Sequence, residues 1–212
     1  MDDVFIIEDF FDAELLDGVK QEMLSSGELE EVIDPVGVFK GQLIVQQLKL
    51  ASLDTPCMIE MLDKIRQVFD QPVIFKEINY QILHLPWDIH SDWFESDGSE
   101  SYYNLLIPLE DVDSRTIIFD QRSNHTNHFY LYKKVNPKIK DPIPQDFWDE
   151  NLSMCWPEDR EYLTLKYACP YQKKGQLVGF KRDYYHSSDS FHLRNVGPKH
   201  FIQILVDKEI TS

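Results

Sequence analysis

The residues His90, Ser91 and Asp92 form the sharpest local feature of the sequence. On a β-strand, residues two apart point to the same face, so an imidazole at position 90 and a carboxylate at position 92 would converge on one point. A second imidazole would complete the two-histidine, one-carboxylate facial triad that holds Fe(II) and leaves coordination positions open. Chance alone produces such a pair in a chain with seven histidines, so a surface loop is an equally good interpretation of the pair by itself.

His186 is the favoured source of the second imidazole. It follows the stretch 175–180, in which a turn glycine leads into a predicted strand. His192, six residues further along the chain, is the rival ligand and stays open as an alternative.

The remaining histidines have simpler interpretations. His84 would share a strand face with His90, and we expect it to be a polar wall residue. His125 and His128 lie in a polar turn, where exposure to solvent is expected. His200 alternates with apolar residues, which is typical of an edge or core position.

A basic residue near the end of the chain is the candidate anion-binding group. Lys199 leads directly into the predicted strand 201–206 and could pair with a carboxylate deep in a barrel. Arg194 is the competing candidate, and Lys199 is preferred because of its position at the mouth of a strand.

The elements that must position these residues are mostly strands. Two helices are predicted first, one following Asp12 as its N-cap and one over residues 55–69. Short β-branched and aromatic runs separated by turns then predict strands, which we assign to 4–7, 73–75, 78–85, 102–109, 116–119, 163–167, 176–180 and 201–206. This pattern favours a mainly β, α+β fold: a double-stranded β-helix (jelly roll, cupin-like) core with the N-terminal helices packed outside.

The composition limits the classes of function. The net charge is −16, which argues against phosphate-backbone binding and against anionic membrane surfaces. Three widely spaced cysteines predict free thiols in a reducing compartment, and the lack of a leader-like start or long apolar run makes a cytoplasmic protein the expectation. We expect one domain over 1–212, with the proline-rich segment 131–160 forming a long loop or lid-like insertion.

The order of these features resembles the 2-oxoglutarate- and Fe(II)-dependent oxygenases, in the style of their prolyl-4-hydroxylase-like and phage-encoded members. The matching features are the strand and acidic-aromatic helix start over 5–16, then His-x-Asp, then a glycine-led strand carrying the distal histidine, and a basic residue on the last strand. Two departures are the use of lysine where the family more often has arginine, and the shortened segment 83–87 before the first ligand.

The resemblance implies a set of roles. His90, Asp92 and His186 would bind Fe(II), and Lys199 or Arg194 would bind the distal carboxylate of 2-oxoglutarate. The reaction would be hydroxylation of a C–H bond of a protein side chain or small molecule, with O2 consumed and succinate and CO2 released. The aspartate ligand favours hydroxylation or a related oxidation over halogenation, because halogenating relatives place a small residue at that position.

Several polar and aromatic residues are expected near such a site. Asn104, together with its neighbours Tyr102 and Tyr103, could contact 2-oxoglutarate, although ordinary strand packing is the favoured interpretation for any one of the three. The other candidates are tryptophans that could line or close a substrate pocket, and an acidic run at its rim; these are Trp87, Trp93, Trp148, Trp156 and residues 95–100. A functional acidic rim would favour a cationic or neutral substrate.

Two other classes of function remain open. The first is a catalytically silent cupin-like jelly-roll binding module in which the histidines are structural. The second is a zinc metallohydrolase that uses the same ligands, for which the sequence offers no second metal cluster. Nothing in the sequence identifies the substrate.

Overall fold

A computed structural model describes residues 2–35, 37–50, 54–92, 101–123 and 127–209. Within these ranges the strands are β1 (Val4–Ile7), β2 (Glu30–Ile33), β3 (Leu43–Lys49), β4 (Val73–Leu83), β5 (Ser101–Pro108), β6 (Thr116–Arg122), β7 (Leu165–Ala168), β8 (Leu177–Lys181), β9 (Tyr184–Ser188) and β10 (Lys199–Lys208). The helices are α1 (Ala13–Ser26), α2 (Pro56–Arg66), α3 (Phe129–Val135) and α4 (Gln145–Asn151), with 3-10 turns at Pro157–Tyr162 and Phe191–Arg194.

The strands form two antiparallel sheets. The larger has the order β1-β8-β5-β10-β4-β3-β2, and the smaller has the order β7-β6-β9. Strand β10 lies at the centre of the larger sheet, hydrogen-bonded to β4 on one side and β5 on the other. This arrangement confirms the predicted mainly β fold with a jelly-roll core.

One face of the larger sheet is covered by the first two helices, as predicted. Asp12 caps α1, its carboxylate accepting from the Leu15 backbone N–H at 2.8 Å. The apolar stripes of α1 and α2 pack with alternate residues of the central strands into one core, to which β5 contributes Leu105 and Ile107. Leu106, between them, points the other way, into the core shared with the smaller sheet.

The alternation of side chains between the two faces of the larger sheet determines which polar residues can meet. The inner face of the larger sheet carries Leu106 and, two residues away, Asn104; the same face of β10 carries Lys199 and Phe201. Side chains on this face are enclosed between the two sheets, where any polar group must find a partner or border a cavity.

The proline-rich segment 131–160 differs from the predicted loop. It contains most of α3, all of α4 and part of a 3-10 turn, and it contributes to the inter-sheet core through Ile143, Trp148 and Leu152. Two of its prolines, Pro144 and Pro157, lie at helix starts, where a missing backbone N–H is harmless.

Three strands, β2, β3 and β9, were absent from the sequence prediction. The two predicted runs between residues 73 and 85 are instead one strand, β4. The predicted free thiols Cys57, Cys155 and Cys169 are confirmed. Among the helices that the structure describes, none is both long and apolar enough to cross a lipid bilayer.

Candidate metal centre

The side chains of His90, Asp92 and His186 converge. One potential ligand atom from each of the three lies within 4.8 Å of the other two, and His186 Nε2 is 3.3 Å from Asp92 Oδ2. The two imidazole rings have centroids 4.4 Å apart. Two nitrogen donors and one carboxylate are the ligand set of a non-haem iron facial triad.

The backbone that brings the two histidines together is an isolated antiparallel bridge. The His90 N–H donates to the His186 carbonyl at 3.1 Å, and the His186 N–H donates to the His90 carbonyl at 2.8 Å. His186 lies on β9 in the smaller sheet, separated by a turn from the glycine-led strand β8 in the larger one. The expectation that one glycine-led strand carries the distal histidine was therefore wrong.

The expectation of a regular strand through His90 and Asp92 was also wrong. His90 makes only isolated bridges, to His128 and to His186, and Asp92 lies beyond them, its N–H donating to the Arg182 carbonyl at 3.1 Å. The two side chains converge because neighbouring segments hold the chain, and not because of a continuous strand pleat.

Both histidines are oriented by the main chain. The Nδ1 atom of His90 is 2.6 Å from the carbonyl oxygen of Asp88, and that of His186 is 3.1 Å from the carbonyl oxygen of Tyr184. A carbonyl can only accept, so each Nδ1 carries a proton, and Nε2 is the ring nitrogen left to bind a metal when the imidazole is neutral. This is the tautomer that metal binding through Nε2 requires.

Asp92 is held from two sides. The amide of Asn104 donates to the carboxylate oxygen Oδ2, and the guanidinium of Arg182 donates to the Asp92 backbone carbonyl from Nε at 3.1 Å and Nη2 at 3.0 Å. Arg182 is itself 1% exposed and donates from Nη1 to Asp207 at 2.8 Å. Sequence reasoning missed this arginine, because an Arg-Asp pair between two strands resembles an exposed turn.

The charges of the cluster suit a divalent cation. Desolvation, reinforced by the neighbouring His186, lowers the pKa of His90 to about 4. Burial opposes the ionisation of Asp92, but the adjacent His186 holds the pKa of that carboxyl below its usual range. At neutral pH the cluster therefore offers an uncharged His90 and an anionic Asp92.

The structure separates His186 from the rival His192. The His192 ring packs edge-on against Phe39, with centroids 5.1 Å apart, and lies outside the ligand cluster. His84 Nε2 is 3.0 Å from Gln46 Oε1 and also lies outside the cluster.

The structure also describes two of the three remaining histidines. His200, on β10, has Nδ1 2.9 Å from the Tyr80 hydroxyl. His128 is exposed, as predicted, but its backbone forms a bridge with His90. His125 lies outside the described residues, as do Trp93 and the acidic run 95–100.

A cavity of about 200 Å³ opens on the inner side of the cluster. Asn104 and Lys199 both line it, so the structure brings these two predicted residues to the candidate centre. Lys199 is 2% exposed, and burial lowers the pKa of its ammonium to about 8. Its Nζ is 3.4 Å from Ser188 Oγ, and it forms no ion pair within the described part of the chain.

Arg194 lies elsewhere. Its guanidinium donates to the Asp189 carboxylate at 2.8 Å and to the Asp113 carbonyl at 2.6 Å, and it does not line the inner cavity. The same Asp189 also accepts from Ser114 at 2.7 Å. Asp189 is the carboxylate whose charge most favours the ammonium of Lys199, but Arg194 and Ser114 already bind it.

A second cavity of about 730 Å³, called here the outer cavity, also borders the cluster and shares Trp87, His90 and Asp92 with the inner one. Burial, followed by the nearby Asp34, raises the pKa of Asp88 in its wall. Trp156 also lines it and is 53% exposed. The cluster therefore borders two cavities, a small inner one and a large outer one.

The other predicted aromatic residues lie away from both cavities. Trp148 is buried in the inter-sheet core, and Tyr102 and Tyr103 belong to the core beneath the helices. Of the three residues 102–104, only Asn104 reaches the inner cavity.

Comparison with known proteins shows relatives in structure but none in sequence. No family model and no curated protein matches the sequence. The structure is similar to that of the non-heme alpha ketoglutarate dependent epimerase SnoN from nogalamycin biosynthesis, with a TM-score of 0.64 and 12% identity over 98% of this chain and 79% of that one.

Two further solved structures have the same fold. HygX from Streptomyces hygroscopicus, solved with nickel and 2-oxoglutarate bound, gives a TM-score of 0.56 and 12% identity over 99% of this chain and 84% of its own. A Pseudomonas putida prolyl-4-hydroxylase gives 0.53 and 12% identity over 98% and 93%. The resemblance drawn from the sequence is thus confirmed at the level of the fold.

Proposed function

We propose that this protein is a non-haem Fe(II)- and 2-oxoglutarate-dependent oxygenase that hydroxylates a C–H bond of a small molecule or protein side chain. The observation that carries the proposal is the convergence of His90, Asp92 and His186 at a cavity that is also lined by a buried Lys199, for which the described residues supply no ion pair. The shared fold with 2-oxoglutarate-dependent enzymes supports it.

The donor set fits Fe(II). Both Nε2 atoms are oriented as lone-pair donors, and Asp92 supplies the anionic oxygen. Three protein ligands leave open positions for a chelating co-substrate and O2. The proposal therefore assigns His90, Asp92 and His186 as the iron ligands.

The inner cavity fits 2-oxoglutarate. A buried ammonium is destabilised by desolvation unless an anion accompanies it, and the described residues place no carboxylate within ion-pair distance of Lys199. A carboxylate at the far end of a dicarboxylic acid would supply that anion. The proposal therefore assigns Lys199 to the distal carboxylate of 2-oxoglutarate, with Asn104 lining the same cavity beside Asp92.

When bound, iron and 2-oxoglutarate together supply the oxidising chemistry, in which the co-substrate is converted to succinate and CO2. The chain itself provides orientation and exclusion of water. Arg182 and Asn104 hold Asp92, while the outer cavity receives the substrate. Part of the wall of that cavity comes from segment 131–160, which we propose acts as its cover.

Anaerobic titration with Fe(II) and then 2-oxoglutarate tests the proposal. We expect one iron and one 2-oxoglutarate per chain, and iron-dependent formation of succinate in air. His186→Ala should abolish iron binding, and Lys199→Met should weaken 2-oxoglutarate binding at least tenfold without removing the iron.

His84→Ala is the matched control, because this histidine is hydrogen-bonded to Gln46 outside the cluster and its loss should leave one iron bound. Failure of the wild-type protein to bind iron would favour the silent binding module instead. Iron binding without any affinity for 2-oxoglutarate would also count against an oxygenase.

A further inference from the structure

We infer that the outer cavity takes a substrate carrying an ammonium or guanidinium group on an apolar body, with the charged nitrogen bound beside Asp88. The inference rests on the proposed function, since it names the substrate class of that same site. It follows from the charge balance, from one unsatisfied buried hydroxyl and from the apolar walls of this cavity.

The charge balance of the outer cavity is negative before any metal ligand is counted. Its wall carries the carboxylates of Asp34, Asp88 and Asp159, and its one lysine or arginine within the described ranges is Lys133. Lys133 is engaged by Asp159 in a close ion pair. Among the described residues of the wall, no lysine or arginine therefore remains to balance Asp88, and the carboxylate of Asp34 lies close to it.

These two carboxylates approach the same small space. A Cβ atom added to Gly37 would lie 2.7 Å from Asp34 Oδ2 and 2.7 Å from Asp88 Oδ2. Asp34 is held in place by the backbone N–H groups of Gly37 and Phe39, at 2.6 and 2.8 Å. Asp88 forms no ion pair with a described residue. Two like charges brought together in a partly buried site are stabilised by a cation placed between them.

A buried hydroxyl in the same wall is also without a partner. Ser91 is 2% exposed, lines the outer cavity, and has no hydrogen-bond partner for Oγ among the residues described. Buried polar atoms are nearly always satisfied, so this oxygen is a candidate acceptor for a ligand N–H. It lies in the chain between the ligands His90 and Asp92, which places the acceptor close to the reacting centre.

The rest of the wall suits an apolar body. Trp87, Ile89 and Phe129 line the cavity, and Trp156 presents a half-exposed indole beside them. An indole face attracts a cation as well as an apolar chain or ring. The net charge of −16 also attracts cationic ligands over distance and repels anionic ones.

A matched set of probes tests the inference. Phenethylammonium and benzylguanidinium carry the cation on an aromatic body, N-acetylphenethylamine is neutral, and 3-phenylpropionate is anionic. Their affinities are measured by calorimetry on the full-length protein loaded with Fe(II) and 2-oxoglutarate under anaerobic conditions, and again on the metal-free protein.

We expect at least one cationic probe to bind ten times more tightly than the neutral one, and the anionic probe to bind most weakly. Asp88→Asn should reduce the affinity for the cation about tenfold and leave the neutral probe unchanged. Asp146→Asn removes an exposed carboxylate on α4 outside the cavity and should change neither. Ser91→Ala should weaken only the probes that carry an N–H.

Equal affinity for cationic and anionic probes, or no binding of either cation at millimolar concentration, would overturn the inference. The metal-free measurement separates it from the proposed function. If the protein takes up no iron but still binds cations selectively through Asp88, the oxygenase proposal would be wrong and the cation site would be supported. If the protein binds iron and 2-oxoglutarate but shows no preference for cationic probes, the cation site would be wrong and the oxygenase proposal would be supported.

Discussion

The guanidinium of Arg182 donates twice to the backbone carbonyl of Asp92, at 3.1 and 3.0 Å. The same arginine lies at the start of the turn that leads from β8 to β9, the strand that carries His186. One buried side chain therefore couples the carboxylate ligand to the segment that bears the distal histidine, and Asp207 at 2.8 Å holds that side chain in place.

Arg182→Lys should lower the affinity for Fe(II) by about tenfold or more, because an ammonium cannot reproduce the paired donation to Asp92 while reaching Asp207. Competition with a metal chelator measures the affinity, and urea unfolding measures stability in the same samples. Arg122→Lys, an exposed arginine on β6, is the control. Loss of stability with unchanged affinity for iron would show that Arg182 supports only the fold.

The affinity for 2-oxoglutarate should fall as the pH rises above about 8. Burial lowers the pKa of Lys199 to about 8 in the free protein, so the ammonium that binds the carboxylate loses its proton from that pH upward. The limiting slope is about tenfold per pH unit, and the fall continues up to the higher pKa that Lys199 takes in the complex, where the bound carboxylate stabilises the ammonium.

Calorimetry between pH 7 and 9 on the Ni(II)-loaded protein checks this dependence. Lys199→Arg should keep its charge throughout and give a flat profile. A wild-type profile that is equally flat would exclude Lys199 as the titrating anion-binding group.

Gly175 and Gly41 form a matched pair for a test of stability. Both have positive φ, of +88° and +80°, but a Cβ at Gly175 would lie 2.4 Å from the Phe11 carbonyl oxygen, whereas one at Gly41 would meet nothing within 4 Å. Alanine at position 41 should destabilise the protein by about 1 kcal/mol, the effect of backbone conformation alone.

Alanine at position 175 should destabilise the protein by roughly 3 kcal/mol or more, because it also displaces the Phe11 N–H from the Gly175 carbonyl, at 2.9 Å. Urea unfolding midpoints at constant slope give both values. Similar losses for the two variants would show that the approach of Phe11 is not a constraint.

Replacement of Trp148 and of Trp156 by alanine should have very different effects on the free energy of unfolding. Trp148 is 2% exposed in the inter-sheet core, so Trp148→Ala should reduce the free energy of unfolding by about 3–5 kcal/mol. Trp156 is 53% exposed on the outer cavity, so Trp156→Ala should change it by less than about 0.5 kcal/mol. A small loss at Trp148 would mean that α4 is not anchored in the core.

The sequence predicted the parts of the fold that have strong local signals. The helix after Asp12 and the strand at 102–109 were found because a cap or an apolar run marks them. Strand β2 was missed because its residues Glu30 and Glu31 are exposed and carry no apolar pattern. Strand β9 was missed because the Tyr-Tyr-His-Ser-Ser run is buried on both faces and shows no alternation.

The sequence predicted which residues meet at the candidate site better than it predicted the backbone that brings them together. His90, Asp92 and His186 do meet, but through a two-histidine bridge and a turn arginine rather than along one strand. Such contacts join residues almost a hundred positions apart, and local spacing carries no information about them. Lys199, preferred over Arg194 for its position on a strand, lines the inner cavity from β10, and its role in binding an anion stays a prediction.

The carbonyls of Asp88 and Tyr184 that hold the two imidazoles make the orientation of the rings independent of the side chains at those positions. A peptide oxygen is present whichever amino acid occupies the position. A substitution at position 88 or 184 can therefore change the local side chain while each ring keeps its hydrogen bond.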